Sequence, residues 1–288
     1  MNALTIPEDY NYIAVFLTLG CNLRCPFCIN RYGDADQRYP MMSGDQWLAG
    51  LNRIVSRPNL PITLQGGEPS LHPDFFSIVN GLRSDLRIDI LTNLQFDIEA
   101  FMASVPPERV SRDAPYASIR VSYHPGEMAL EATVAKVSRM LERGYSIGVW
   151  AVDHPGNGPA IDEARRVCTE RGIDFRLKEF LGDHEGRLYG SYKYPDGLSR
   201  RQHPSVDCRT TELIVGPSGD IFRCHGDLYE GRPGIGHLCH EDFDIDTDFR
   251  PCTSFGFCNP CDIKIKTNRF QQFGHTSVDI RGAREAGA

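Results

Sequence analysis

No apolar run in the 288-residue chain approaches the length that crosses a bilayer, which excludes a helical membrane span. Met1 to Tyr12 lack a basic start followed by an apolar stretch and carry Pro7, Glu8 and Asp9 instead, so no export signal is read. Positive charge is in deficit: Lys and Arg number 31 against 38 Asp and Glu, giving a formal charge of -7. A broad nucleic-acid surface needs Lys and Arg to neutralise phosphates and is not expected; a local basic groove stays compatible. Internal repeats and low-complexity tracts are also missing. An unexported chain in a reducing cytosol has little use for disulfides, so its ten cysteines point to metals and to a cytoplasmic protein.

What is present reads as an α/β protein of one or two domains. Apolar, β-rich runs recur at Ile13 to Leu19, Ile62 to Leu64, Ile88 to Leu91, Ile119 to Val121, Ile147 to Val152 and Phe175 to Leu177. Between most of them lie helix-like stretches: Ser43 to Val55, Pro73 to Ser84, Glu127 to Arg143 before Gly144, and Asp162 to Arg171 before Gly172. This alternation predicts βαβ units and a parallel sheet, curled into a partial (β/α)6 barrel, with active groups at the C-terminal strand ends. After Gly182 helical periodicity fades, and Tyr, Gly, Pro, Asp and Cys dominate. The expected division is a barrel over 1–182, a small Cys-rich domain over 183–280 and a tail over 281–288.

Cys21, Cys25 and Cys28 form a loop with gaps of three and two residues just after the first predicted strand. A four-iron cluster usually takes four Cys ligands, so three leave one iron open to a ligand from outside the protein. Closed structural zinc needs a fourth Cys or His; Ile29 to Pro40 supply none, although a distant His would complete such a site.

The loop, with Phe27 before its third cysteine, resembles the signature of the radical S-adenosylmethionine (SAM) superfamily. A second segment agrees: Gly66-Gly67-Glu68-Pro69 follows the strand Ile62 to Gln65 and resembles the family's support for the SAM methionine moiety. Alone it would be a tight turn between strand and helix. The resemblance implies a [4Fe-4S] cluster on Cys21, Cys25 and Cys28 that chelates SAM, cleaved to methionine and a 5′-deoxyadenosyl radical that takes a hydrogen atom from the substrate. It implies SAM contacts from Thr92, Asn93 and Ser122, with Phe27 near the adenine, and a flavodoxin- or ferredoxin-type electron donor. Turn capping is the plain alternative for Thr92, Asn93 and Ser122. His124 follows Ser122 and Tyr123 and is a candidate catalytic proton carrier, against the plain reading of a surface histidine. Glu185, with Asp183, His184 and Arg187, lies beyond the sixth strand and is the candidate catalytic or substrate-contact group, against a solvated loop.

Cys208 and Cys224 frame two predicted strands around Pro217-Ser218-Gly219-Asp220, and Cys258 and Cys261 offer a close pair. Four such thiolates suit either a cluster or zinc. The spacing resembles the auxiliary-cluster domains of radical SAM enzymes, called SPASM and, in the shorter form, twitch. That implies a second, auxiliary [4Fe-4S] cluster on Cys208, Cys224, Cys258 and Cys261, with Cys252 as the substitute ligand. Cys239 reads as a loop thiol and Cys168 as a helical core residue.

The resulting expectation is a radical SAM enzyme that dehydrogenates or rearranges a small molecule. Peptide modification is the alternative; only about twenty residues precede the first cysteine, which leaves no room there for a peptide-recognition domain. Nucleoside or base modification ranks third, and a zinc-stabilised binding protein would make the Gly66 to Pro69 match accidental.

Overall fold

The computed structural model describes residues 2–30, 40–201, 206–266 and 274–283. Six parallel strands form one side of a single sheet: β1 (Ile13–Thr18), β2 (Ile62–Gly66), β3 (Ile88–Thr92), β4 (Ile119–Tyr123), β5 (Ile147–Asp153) and β6 (Phe175–Glu179), hydrogen-bonded in that order with β6 at the edge. They match the six predicted runs. Helices α1 (Gly44–Leu51), α2 (Phe75–Gly81), α3 (Ile98–Ser104), α4 (Leu130–Glu142) and α5 (Gly158–Glu170) connect them. The sheet is open rather than a closed barrel. Among the described residues no helix is long and apolar enough to cross a membrane.

Local chemistry sets the helix ends. Ser43 accepts the Gln46 N–H while the Gln46 side chain accepts the Ser43 N–H, a reciprocal cap that starts α1. The run predicted to reach Val55 stops at Leu51, because Arg53 is drawn away to the carbonyls of Asn2, Leu238 and His240. Ile54 and Val55 then pair with Leu4 and Thr5. Buried Thr133, Val134, Val137 and Met140 lie on one face of α4, spaced so that an amphipathic helix seals against the sheet. The chain leaves α4 at Gly144, whose φ of +85° suits glycine.

All six residues of β1 are buried, as in a parallel strand covered on both faces. Ile13, Val15 and Leu17 join the main core; Ala14 and Phe16 pack the other way onto Ile214, Phe222 and Leu228.

That second packing alters the expected division at residue 182. Leu213–Val215 runs parallel to β1, with Leu213 opposite Ile13 and Val215 opposite Val15; Asp220–Phe222 and Gly236–His237 continue the sheet to nine strands. The C-terminal region therefore begins as an extension of the barrel sheet. Its remainder is a three-stranded sheet of Arg250–Cys252, Val206–Thr210 and Val278–Arg281 over a separate core of Tyr192, Tyr194, Val206, Phe255, Ile263, Val278 and Ile280. Of the expected tail, residues 284–288 lie outside the described residues.

Candidate active site

The C-terminal ends of β1 to β6 open on a cavity of about 330 Å³ whose lining includes Cys21, Cys25, Cys28, Phe27, Gly66, Gly67, Glu68, Thr92, Asn93, Ser122 and His124. The sequence-predicted groups from four strand ends thus come together, as ligand sites do in parallel α/β sheets. Pro69 is buried directly behind Glu68, at the start of a short 3-10 turn.

The glycines serve a steric end. A Cβ on Gly66 would lie 2.1 Å from the Thr18 carbonyl oxygen, and one on Gly67 2.1 Å from that of Gly20. Their absence lets the two loops close, with Gly67 N–H donating to Thr18 O at 3.0 Å and Glu68 N–H to Gly20 O at 2.9 Å. The cysteine loop is held elsewhere by Arg24 N–H to Glu127 at 2.9 Å and by Asn93 Nδ2 to Asn22 Oδ1 at 2.7 Å.

Glu68 is wholly buried, and its carboxylate is occupied within the protein. Oε1 accepts from Ser70 N–H (3.1 Å), Ser70 Oγ (2.6 Å) and Thr92 Oγ1 (2.7 Å), and Oε2 from Asn93 N–H (2.6 Å). Burial pushes its pKa up, and these donors oppose the shift. Glu68 ties the β2 turn to the end of β3, so the hydroxyl of Thr92 and the backbone of Asn93 are engaged in that brace.

Phe27 lies with its ring centroid 5.5 Å from both His124 and His154. His124 is deeply set, and burial followed by the Lys178 charge lowers its pKa to about 4. Its Nδ1 is buried without a hydrogen-bond partner, so a neutral imidazole faces the cavity. Glu185 is placed otherwise. It occupies, with φ +52°, the exposed two-residue turn between Gly182–His184 and Arg187–Tyr189, and does not line the cavity; its residue type serves a hairpin turn. His184 from the same hairpin packs on His154, centroids 4.7 Å apart.

The C-terminal thiols separate into two sets. Cys208 and Cys252 are free thiols joined by a hydrogen bond, and Cys208 lies in the electrostatic field of Cys258 and Cys224. Cys208 is not on the hairpin predicted to carry it; it stands on Val206–Thr210, whose neighbour strand ends at Cys252. Cys224 caps a short helix, accepting the Asp227 N–H at 3.3 Å. Asp262 joins the loops: its carboxylate accepts from the N–H groups of His225 (2.7 Å) and Gly226 (2.9 Å) and from His225 Nδ1 (2.8 Å). Cys261 belongs to the other set. It lines the active-site cavity, with Cys28, Lys178, Lys264 and Asp262 acting on it. Residue Cys252, expected as the substitute ligand, thus lies beside Cys208, while Cys261 faces the cavity. Cys239 packs against Met42, 3.9 Å away, and Cys168 is buried in the main core.

Both thiol groups suit an iron–sulfur centre. Burial raises Cys25 and Cys258 to about 12 and pushes Cys21, Cys224 and Cys208 upward, with the Cys252 bond the largest cause at Cys208. Neighbouring thiols add to each shift, so a positive metal centre is what would favour their thiolates. Among the described residues no three His, Cys, Asp or Glu groups converge as for a single ion. Thiolates are the ligands that an iron–sulfur cluster takes, with sulfides and several irons between them.

Sequence reasoning missed Lys178, Phe180 and Lys264 in the lining. Lys178 follows the last apolar residue of the sixth predicted strand and was findable by position; Lys264 arrives through a long-range fold and left no local signal.

Residues 15–110 match the family described as Radical SAM superfamily. A GTP 3',8-cyclase of Mannheimia succiniciproducens is 26% identical over 189 residues, covering 62% of this chain and 55% of that protein. The molybdenum cofactor biosynthesis protein moc-5 of Caenorhabditis elegans is 24% identical over 190 residues, 60% of this chain and 30% of its own length. The chain thus spans about half or less of these curated relatives. Among solved structures, native anSMEcpe with bound AdoMet and the Kp18Cys peptide superposes with a TM-score of 0.56 at 13% identity, over 83% of this chain and 78% of that one. The shared fold, the three-cysteine loop and the Gly66 to Pro69 turn on one cavity agree with that match to the Radical SAM superfamily over residues 15–110.

Proposed function

We propose that the protein is a radical SAM enzyme that abstracts a hydrogen atom from a small molecule bound in this cavity, leading to dehydrogenation or rearrangement. The observation that carries the reading is the convergence of Cys21, Cys25 and Cys28 with Gly66, Gly67 and Glu68 on one cavity. Cys21, Cys25 and Cys28 would hold the [4Fe-4S] cluster, whose chemistry when SAM is bound is reductive release of a 5′-deoxyadenosyl radical. The chain's own residues bind and orient. Glu68 fixes the turn beneath the cofactor, Phe27 and Ser122 offer an aromatic face and a hydroxyl at the wall, and Phe180, Leu181 and Val152 help to exclude water. His124, held neutral by burial, is suited to hydrogen-bond a bound group through Nδ1 rather than to carry a positive charge.

Cys208, Cys224, Cys252 and Cys258 would hold an auxiliary [4Fe-4S] cluster; four protein ligands leave no open iron and suit an electron relay. The thiol hydrogen bond between Cys208 and Cys252 would be replaced, with loss of the thiol protons, when both sulfurs hold iron. A flavodoxin- or ferredoxin-type protein is the proposed donor, and the cytoplasm the proposed location.

Peptide modification is the second reading, favoured by the fold likeness to an enzyme whose structure carries a peptide. Anaerobically reconstituted protein with dithionite and SAM is expected to release 5′-deoxyadenosine. Stimulation by small metabolites, and not by peptide pools, supports the first reading; the opposite supports the second. No 5′-deoxyadenosine in the presence of bound iron and sulfide would overturn both.

A further inference from the structure

We infer that the end of the cavity formed by Lys178 and Lys264 binds an anionic group, a carboxylate or a phosphate, on the substrate. The inference rests on the proposed function, since it names what occupies part of that cavity.

The two ammonium groups come from distant parts of the chain. Lys178 is in β6, opposite Val152 of β5, and both residues are in the lining. Lys264 follows the helical turn Pro260–Ile263 and is held by its own N–H to Pro260 O (3.1 Å) and by a bridge to Tyr192. Both cations act on the Cys261 sulfur, and Lys178 also on His124, so their fields overlap within one space. In a chain of net charge -7, two lysines in the lining of one cavity are not a sample of the general surface. The lining carboxylates have other posts: Glu68 is bonded to Ser70, Thr92 and Asn93, and Glu179 accepts from Ser191 Oγ at 2.8 Å.

An ammonium group has three donors, so a resting contact to protein oxygen leaves capacity for a ligand. Partial enclosure strengthens the attraction relative to water. β6 is also the sheet's far strand from β1 and β2, which carry the cysteine loop and the glycine turn. Val152, Phe180 and Leu181 add apolar wall. The expected substrate has an anionic end on the lysines and a less polar part directed toward the cysteine loop. SAM's own carboxylate is the competing occupant.

The test titrates inorganic pyrophosphate and, separately, glutarate into the reconstituted, SAM-loaded full chain, read by calorimetry without reductant. Saturable binding of pyrophosphate alone assigns a phosphate, and of glutarate alone a carboxylate; binding of both supports a general anion site. Lys178→Met and Lys264→Met are each expected to raise the anion Kd about tenfold. Lys178→Arg should recover most of the affinity, which a merely misfolded site would not. SAM affinity is expected to stay within about twofold, a change of under 0.5 kcal/mol. The inference is overturned if neither anion saturates, if both Met variants bind the anion as wild type does, or if SAM affinity falls together with anion affinity. Because the titration needs no turnover, a protein that binds the anion but releases no 5′-deoxyadenosine sinks the proposed function alone.

Discussion

Replacing Cys252 and Cys261 separately by Ala tests how the C-terminal thiols are divided. Cys252 ends a strand paired antiparallel to Val206–Thr210, and its sulfur meets that of Cys208 from this strand. Cys261 lies three residues beyond Cys258, yet it faces Cys28 and the cavity. Two [4Fe-4S] clusters correspond to about eight iron and eight sulfide per reconstituted chain. Cys252→Ala leaves three ligands in the quartet with no SAM to take the fourth position, and the expected content falls toward about four iron, with retained 5′-deoxyadenosine release from SAM. Cys261→Ala should keep about eight. A variant lacking Cys21, Cys25 and Cys28 isolates the second cluster at about four iron, so the loss can be assigned. Colorimetric iron and sulfide analysis with Mössbauer spectroscopy reads all three. The reasoning is refuted if Cys261→Ala loses half the iron while Cys252→Ala keeps it all.

Gly67→Ala places a methyl group 2.1 Å from the Gly20 carbonyl oxygen, and the forced separation of the loops should cost about 3 kcal/mol in urea unfolding, with weaker SAM binding; a loss under about 0.5 kcal/mol would contradict the close approach. Asp89 is buried between Arg112 (2.7 Å) and Arg120 (3.1 Å), so Asp89→Asn, which leaves two guanidinium groups without their carboxylate, should destabilise by about 3–5 kcal/mol in the same assay. His124 has a folded pKa of about 4, below its ordinary 6.5, so the unfolded chain binds more protons between those values. Its contribution is present above pH 6.5 and is lost as pH falls toward 4, on the order of 3 kcal/mol in all. His124→Gln should flatten the fall in stability between pH 6.5 and 5; an unchanged slope would place the imidazole in water.

The parallel core was legible because each strand is a short apolar run and each connecting helix an amphipathic one. Ile98–Ser104 was missed: it has seven residues, too few for a clear period, and its start depends on Asp97 accepting the N–H groups of Glu99 and Ala100. The cavity's first wall was legible for a different reason. Cysteines and paired glycines are rare enough that their spacing carries information, whereas the lysine wall depends on where β6 and the Pro260–Ile263 turn meet in space. Local spacing reads Cys258 and Cys261 as one pair, whereas Cys261 lines the cavity. Two thiols three residues apart can share a metal, but here Asn259 accepts the Cys261 N–H at 2.9 Å and begins a helical turn, which sends them to different sides. Glu185 sits in a hairpin turn outside the cavity lining, since a polar group after a strand is as suited to a hairpin tip as to a substrate.

The continuity of the sheet past residue 182 bears on any attempt at dissection. A fragment ending there would strip Leu213–Val215 from β1 and uncover Ala14 and Phe16, leaving a bare backbone edge beside newly wetted apolar surface. Such a piece is expected to self-associate rather than stand alone; in the whole chain the spacing between the two cysteine-bearing regions is set by a shared hydrogen-bond ladder and not by a linker.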